Sequence, residues 1–352
     1  MLMSIILDID DVLLDFNNAL VEKLQSEKQC NPPLTVEDIV DWESSKHPEL
    51  NERFKFLNKE FFLTQKPYLG AQDFVKELSQ YCDVFIHTAV YPEYVPERYS
   101  RIRELFPEIK PEHILFGTRK DLSRATFMLD DNVNNILSSN AEVPILMRRP
   151  WNQNLTGIIA ANTYQDVLTI VTSYMKSYVP KSNLKNYDIV ALIGPSGAGK
   201  NQIADTIVKD CKYSTPVSYT TKKTKSKRYE TLKIEEFLAK REGGDLLEYS
   251  VYGGYYYGLS KIQIENALIS KPIIVPIDIA GAFMLRSLYN VAIVYVNSPK
   301  EKLIHNLLED VDMLLDEKTN RILSIDAEIR NKRFADFVIK DADELKTLLQ
   351  SC

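Results

Sequence analysis

Residues 188–193 (DIVALI) form an apolar run that ends in GPSGAGKN at 194–201, and this junction constrains the chain more than any other stretch. A G-x-x-x-x-G-K turn works between a strand and a helix, where backbone N–H groups and a helix N-terminus meet anionic oxygens. The following run, Gln202–Lys209, carries the helical pattern the motif needs. A strand that ends in a ligand-binding turn belongs in a parallel α/β sheet, whose ligands sit at the carboxyl ends of the strands. The start of the chain follows the same plan, with Ser4–Leu7 running into Asp8-Ile9-Asp10-Asp11. Two such starts in 352 residues predict an α/β protein of two domains, both with parallel sheets.

In the first half, further strand-like runs are Val84–His87, Ile114–Phe116, Phe127–Leu129 and Pro144–Met147, with helical stretches between them. Residues 16–66 interrupt the alternation with a mostly helical, aromatic-rich insert, expected as a cap over about 16–75. A helical pattern at Tyr164–Lys176 precedes the polar stretch 177–186, read as a linker between domains at 1–176 and 187–352. In the second half, Ile273–Ile277 and Ala292–Val296 read as strands, and Lys300–Leu315 and Lys318–Asn331 as helices.

Composition narrows the partners. Charged residues make up 26% and the net charge is −6, so nucleic acid is disfavoured as the main partner. Cys30, Cys82, Cys211 and Cys352 lie far apart, with no zinc or redox spacing, as expected of reduced thiols in a cytoplasmic protein. Asp8 and Asp10 come too early for a signal-peptide core, and no apolar run reaches the length of a membrane span. The oligomeric state is left open, a dimer being among the options.

Asp8 and Asp10 stand two apart at a strand end, so their side chains leave an extended backbone on one side. Such a pair can hold Mg²⁺ and divide the roles of nucleophile and proton donor. Alone it would read as a solvated acidic loop. Here Thr88 ends a second strand, Lys120 follows a third and Asp130-Asp131 end a fourth. A hydroxyl, a lysine and a second carboxylate pair are the parts that phosphoryl transfer to an aspartate requires. His87, on an apolar strand, reads as a packed core histidine.

ILDIDDVLLDF, the HTA at 87–89, Lys120 and LDDN at 129–132 resemble the four motifs of the haloacid-dehalogenase-like phosphatases. More narrowly, 4–175 resembles their 5′(3′)-deoxyribonucleotidase branch, through Phe16, EFFLTQKPYLGA, RRPWNQN and TYQDVL. The resemblance implies a Rossmann-like domain with a helical cap. It also implies Asp8 as nucleophile, Asp10 as general acid/base and Thr88 and Lys120 on the phosphate, with Asp8, Asp10, Asp130 and Asp131 around Mg²⁺. Phe16, Trp42 and Phe62 would stack on the nucleobase, the competing reading being cap core. Asp11 departs from the family's usual glycine, adding charge near the metal, and Ala89 replaces a hydroxyl residue.

Downstream of the glycine-rich turn, VSYTTKK (217–223), LLEYSVYGGYYYG (246–258), IIVPIDIAG (273–281) and VIKDADEL (338–345) follow in order. Together they resemble guanylate kinase, a P-loop nucleoside-monophosphate kinase, across 187–350. The resemblance implies that Gly194, Ser196, Gly197, Ala198, Gly199, Lys200 and Asn201 hold the ATP phosphates. It places Ser218, Lys222, Lys225, Tyr229, Glu248 and Tyr257 around a nucleoside monophosphate, with Arg321 as a catalytic arginine. Asn201 stands where a Ser/Thr hydroxyl normally touches Mg²⁺, Leu259 and Pro276 replace residues that read guanine, and the lid at 306–320 lacks arginines. The expected function is a bifunctional Mg²⁺-dependent 5′-nucleotidase and ATP-dependent monophosphate kinase, with different base or sugar preferences for the two activities. The alternatives are a polynucleotide kinase-phosphatase and a nucleotidase joined to a nucleotide-binding module without kinase activity.

Overall fold

Short apolar runs buried on both faces make central parallel strands, and among the described residues a six-stranded sheet is built around such runs. Its strands are β1 (Ser4–Leu7), β2 (Asp83–Thr88), β3 (Ile114–Phe116), β4 (Phe127–Asp130), β5 (Val143–Met147) and β6 (Ala160–Ala161). All neighbours are parallel, in the order β3-β2-β1-β4-β5-β6. Leu7 pairs with Ile86 on one side and Leu129 on the other, so β1, β2 and β4 release their next residues at one edge. The computed structural model describes residues 3–40, 47–153, 155, 157–175, 183–224, 228–252, 255–269, 272–311 and 313–350. They form two compact units, Met1–Asn152 with Ile159–Thr172, and Gln153–Ile158 with Ser173–Cys352. Of the expected linker at 177–186, residues 177–182 lie outside the described set.

The insert after β1 comprises helix Asn17–Lys28, a 3-10 stretch Pro48–Phe56 and helix Lys59–Thr64. Its core is aromatic. Phe16, Leu20, Phe61 and Phe62 are buried together, with Phe54 and Tyr94 packed against them. Phe61 meets Phe16 and Phe62 edge-on at centroid distances of 5.6 and 5.5 Å, geometries aromatic rings favour.

In the second unit, β7 (Ile189–Ile193) leads into the glycine-rich turn and helix Lys200–Asp210. Next come β8 (Ser218–Thr220), β9 (Tyr229–Thr231), β10 (Leu246–Tyr252), β11 (Tyr255–Ser260), β12 (Ile273–Pro276), β13 (Val291–Val296) and β14 (Phe337–Ile339). A parallel sheet runs β12-β7-β13-β14, its residues Val190, Leu192, Ile274 and Val294 packed on Ile203, Ala204 and Ile207 of the helix. A second sheet, β10-β11-β8-β9, pairs β10 with β11 and β11 with β8 antiparallel. The sequence had offered its segments only as binding motifs.

The largest shift of a helix end from expectation lies between the two helices after β13. The helix from Lys300 ends at Glu309 rather than running to Leu315, and the next spans Leu315–Arg330. Asp310, a poor residue for a helix interior, leaves the helical region with ψ 102°. Asp316 and Glu317 then favour the new N-terminus. No helix among the described residues is long and apolar enough to cross a membrane.

Candidate active sites

The sheet edge of the first unit gathers charge that water would ordinarily hold. Asp8 extends β1, Asp130 closes β4, and Lys120 stands in a short 3-10 turn. Lys120 is buried, with Nζ 2.8 Å from Asp8 Oδ1 and 2.7 Å from Asp130 Oδ2. Burial works against its charge, but the two carboxylates outweigh that and hold its pKa above the ordinary lysine value. Burial also raises Asp8 and Asp131 and pushes Asp130 up to about 6. Three buried carboxylates against one lysine leave an excess of negative charge. Carboxylate oxygens of Asp8, Asp130 and Asp131 lie within 4.8 Å of one another, an all-oxygen donor set that fits a hard cation such as Mg²⁺.

Each of these acids is also held from behind. Asn132 N (2.8 Å) and Asn135 Nδ2 (3.0 Å) donate to Asp130, and Trp151 Nε1 donates to Asp131 Oδ2 at 2.9 Å. The Thr88 hydroxyl at the end of β2 is buried without a hydrogen-bond partner. An orphaned buried hydroxyl is costly and marks a place where a polar ligand belongs. Asp10 stands apart from the carboxylate cluster. Its Oδ1 accepts from Arg98 at 2.6 Å and from Gln65 at 3.2 Å.

Asp11 adopts the left-handed region at φ 55°, a conformation that favours glycine and that aspartate tolerates. Its carboxylate accepts from the backbone N–H of Phe16 (3.2 Å) and Asn17 (3.0 Å) and from Asn17 Nδ2 (2.6 Å). The extra acid therefore ties the turn after β1 to the first cap helix. His87 is buried, with Nδ1 3.0 Å from Ser123 Oγ, in the core role expected of it. Phe16 and Phe62 are buried in the cap's aromatic cluster. Trp42 lies outside the described residues.

The second unit has a cavity of about 790 Å³ lined by the glycine-rich turn, Lys200, Asn201, Ser218, Tyr229, Glu248, Tyr257, Asp278, Arg321 and Glu328. The turn needs its glycines. Gly194 has φ 140° and a Cβ there would lie 2.8 Å from Val296 O, while Gly197 has φ 83° and a Cβ would lie 2.9 Å from Leu303 O. Lys200 Nζ donates to Gly194 O (2.5 Å) and Pro195 O (3.0 Å). Ala198 packs into the core beside the turn. Tyr229 and Tyr257 meet edge-on at 5.7 Å, and Arg321 pairs with Glu317 at 2.7 Å. Lys222 is exposed, with Nζ 5.9 Å from the Tyr255 ring centroid, and does not line the cavity. Lys225 lies outside the described residues.

Comparison with known proteins matches residues 2–176 to the family described as 5′ nucleotidase, deoxy (pyrimidine), cytosolic type C protein (NT5C), and residues 186–351 to guanylate kinase. A guanylate kinase of Salinibacter ruber is 34% identical over 133 residues, 35% of this chain and 70% of that protein. A putative 5′(3′)-deoxyribonucleotidase of Staphylococcus aureus is 28% identical over 170 residues, 47% of this chain and 92% of that one. The chain joins an NT5C domain to a guanylate kinase domain. Among solved structures, a guanylate kinase from Anaplasma phagocytophilum aligns with TM-score 0.36 and 21% identity, over 46% of this chain and 84% of that one.

The sequence did not single out Arg98 and Gln65 beside Asp10 in the NT5C domain. In the guanylate kinase domain it missed Glu328, a buried carboxylate that accepts from Ser196 N and Ser324 Oγ, both at 2.7 Å. Trp151 belonged to a quoted motif, RRPWNQN, but its bond to Asp131 needed the structure.

Glu248 in the guanylate kinase cavity supports a prediction. Burial, reinforced by Asp278, pushes its pKa up to about 8. The folded chain then keeps a proton that the unfolded chain releases near the ordinary carboxylate value. Stability is therefore present at low pH and is lost as pH rises toward about 8. Glu248→Gln removes this dependence. Its melting midpoint relative to the unaltered protein is expected to rise between about pH 5 and pH 8.5, by roughly 2–4 °C for each kcal/mol relieved. A gap that stays constant across that range would show that Glu248 ionises freely in the folded chain.

Proposed function

We propose that the NT5C domain dephosphorylates nucleoside 5′-monophosphates through Asp8, that the guanylate kinase domain phosphorylates a nucleoside monophosphate with ATP, and that the two prefer different monophosphates. One observation carries this reading. Each unit gathers, at the carboxyl end of its parallel sheet, a lysine with the other groups that phosphoryl transfer requires.

In the first domain, an Asp8 carboxylate oxygen attacks phosphorus and the bond from phosphorus to the nucleoside 5′ oxygen breaks, with Asp10 giving its proton to that oxygen. Water then attacks the phosphoaspartate, Asp10 takes the water's proton, and inorganic phosphate leaves. Lys120 and the orphaned Thr88 hydroxyl hold the phosphate oxygens. Asp8, Asp130 and Asp131 would hold Mg²⁺, which when bound supplies positive charge against the transferring group.

In the second domain, the turn from Gly194 to Asn201 holds the ATP phosphates, with Asn201 offering an amide oxygen where a cation would sit. Ser218, Tyr229, Glu248 and Tyr257 seat the acceptor monophosphate. Were both domains to accept one monophosphate equally, they would divide a single pool between nucleoside and diphosphate.

The test incubates the full chain and Mg²⁺ with each common NMP and dNMP, with and without ATP, and resolves nucleoside, diphosphate and phosphate by chromatography. Nucleoside from one monophosphate and ATP-dependent diphosphate from another is the expected result. Equal catalytic efficiencies of both activities on every dNMP would overturn the division of substrates. Turnover confined to 5′-hydroxyl and 3′-phosphate oligonucleotide ends would overturn the mononucleotide reading.

A further inference from the structure

We infer that Arg98 is a positioning residue that fixes which oxygen of Asp10 faces the reacting phosphate. The inference rests on the assignment of Asp10 as general acid/base made above.

Arg98 lies on helix Val95–Leu105 and is fully buried. Its Nη2 donates to Asp10 Oδ1 at 2.6 Å, and its Nη1 donates to Gln65 Oε1 at 2.8 Å. Gln65 Nε2 in turn donates to the same Asp10 Oδ1 at 3.2 Å. The guanidinium is held 4.8 Å over the Phe62 ring, so its own orientation is fixed by the cap. The carboxyl torsion of an aspartate is broad and nearly two-fold, and nothing intrinsic distinguishes its two oxygens. Two donors converging on Oδ1 break that symmetry. Oδ2, which receives neither bond, is left to give a proton to the leaving oxygen and to take one from water.

Packing alone does not account for this residue. A buried arginine is seldom better for stability than a hydrophobic side chain of similar volume. The Nε of Arg98 is moreover buried without a partner. The arrangement makes sense where the orientation of Asp10 matters.

The prediction separates substrates by leaving group. A nucleoside must leave with a proton on its 5′ oxygen, whereas p-nitrophenyl phosphate releases a stable phenolate that needs none. In single turnovers, which read the first transfer and not the phosphoaspartate hydrolysis that both substrates share, Arg98→Met with the full chain, Mg²⁺ and no ATP is expected to slow thymidine release from thymidine 5′-monophosphate by on the order of 10²-fold. The first-turnover release of p-nitrophenolate from p-nitrophenyl phosphate should stay within about threefold, which also reports that the variant folds. Arg98→Lys, able to keep one bond to Oδ1, should recover part of the loss. Parallel losses on the two substrates would overturn the inference. If Arg98→Met does not fold, Arg98→Lys decides alone: a loss confined to the nucleotide supports the role and a parallel loss removes it. Asp10→Asn is measured beside them. If it shows no leaving-group dependence, the assignment of Asp10 as the acid has failed. If it does and the Arg98 variants do not, only the inference about Arg98 falls.

Discussion

Asp8→Asn is expected to lower nucleoside release by on the order of 10⁴–10⁶-fold while leaving ATP-dependent diphosphate formation unchanged. An amide of the same shape has no charge with which to attack phosphorus. It also takes away one of three acidic oxygens suited to a cation. The fold should tolerate the change, because burial raises Asp8 above its ordinary pKa, so its ionised form weakens the folded state. Lys120 keeps its 2.7 Å contact with Asp130 when Asp8 is neutralised. The melting midpoint near neutral pH is therefore expected to hold or rise. Nucleoside release within about tenfold of the unaltered protein would remove Asp8 as nucleophile. A fall in both activities together would mean the substitution unfolds the chain.

The structure brings Asp8, Lys120, Asp130 and Asp131 together, and the sequence could show this because the strands do the arranging. A buried parallel strand announces itself by an apolar run, and the residue just past that run must emerge at the ligand edge. The same logic served Lys200, fixed by the glycines before it. Side chains that arrive from helices were not legible. PERYSRIREL holds Arg98, Arg101 and Arg103 in one charged helix, and no spacing rule separates them. Only the packed structure shows Arg98 fully buried on Asp10 while Arg101 reaches Gln65 O and the exposed Glu104. Asp11 was legible as an extra charge but not as a helix cap, since its role depends on the backbone turning to φ 55°. Phe16 and Phe62 show the opposite limit. An aromatic in an insert serves base stacking or core packing equally well by pattern, and both side chains are buried in the cap cluster.

The second large effect is expected from Lys200→Met, which should lower ATP-dependent diphosphate formation by on the order of 10²–10³-fold and leave nucleoside release untouched. Methionine keeps the length and apolar stem of the lysine but removes the charge that would face transferring phosphate. The loss should fall near the upper end because, among the described residues, this cavity has few other cations to share the work. Among the described residues its lysine and arginine lining is Lys200 and Arg321, and Arg321 is already paired with Glu317 at 2.7 Å. Asn201 adds only a neutral amide beside it, and the exposed Lys222 stands outside the cavity. The substitution also leaves Gly194 O and Pro195 O without the amine that now bridges them. Loosening of the turn should therefore appear as weaker ATP binding, measured by titration, as well as slower transfer. Diphosphate formation within about threefold of the unaltered protein would mean that the ATP phosphates do not lie on this loop. Lost transfer with unchanged ATP affinity would confine Lys200 to the transition state and make the backbone N–H groups of the turn sufficient for holding the nucleotide.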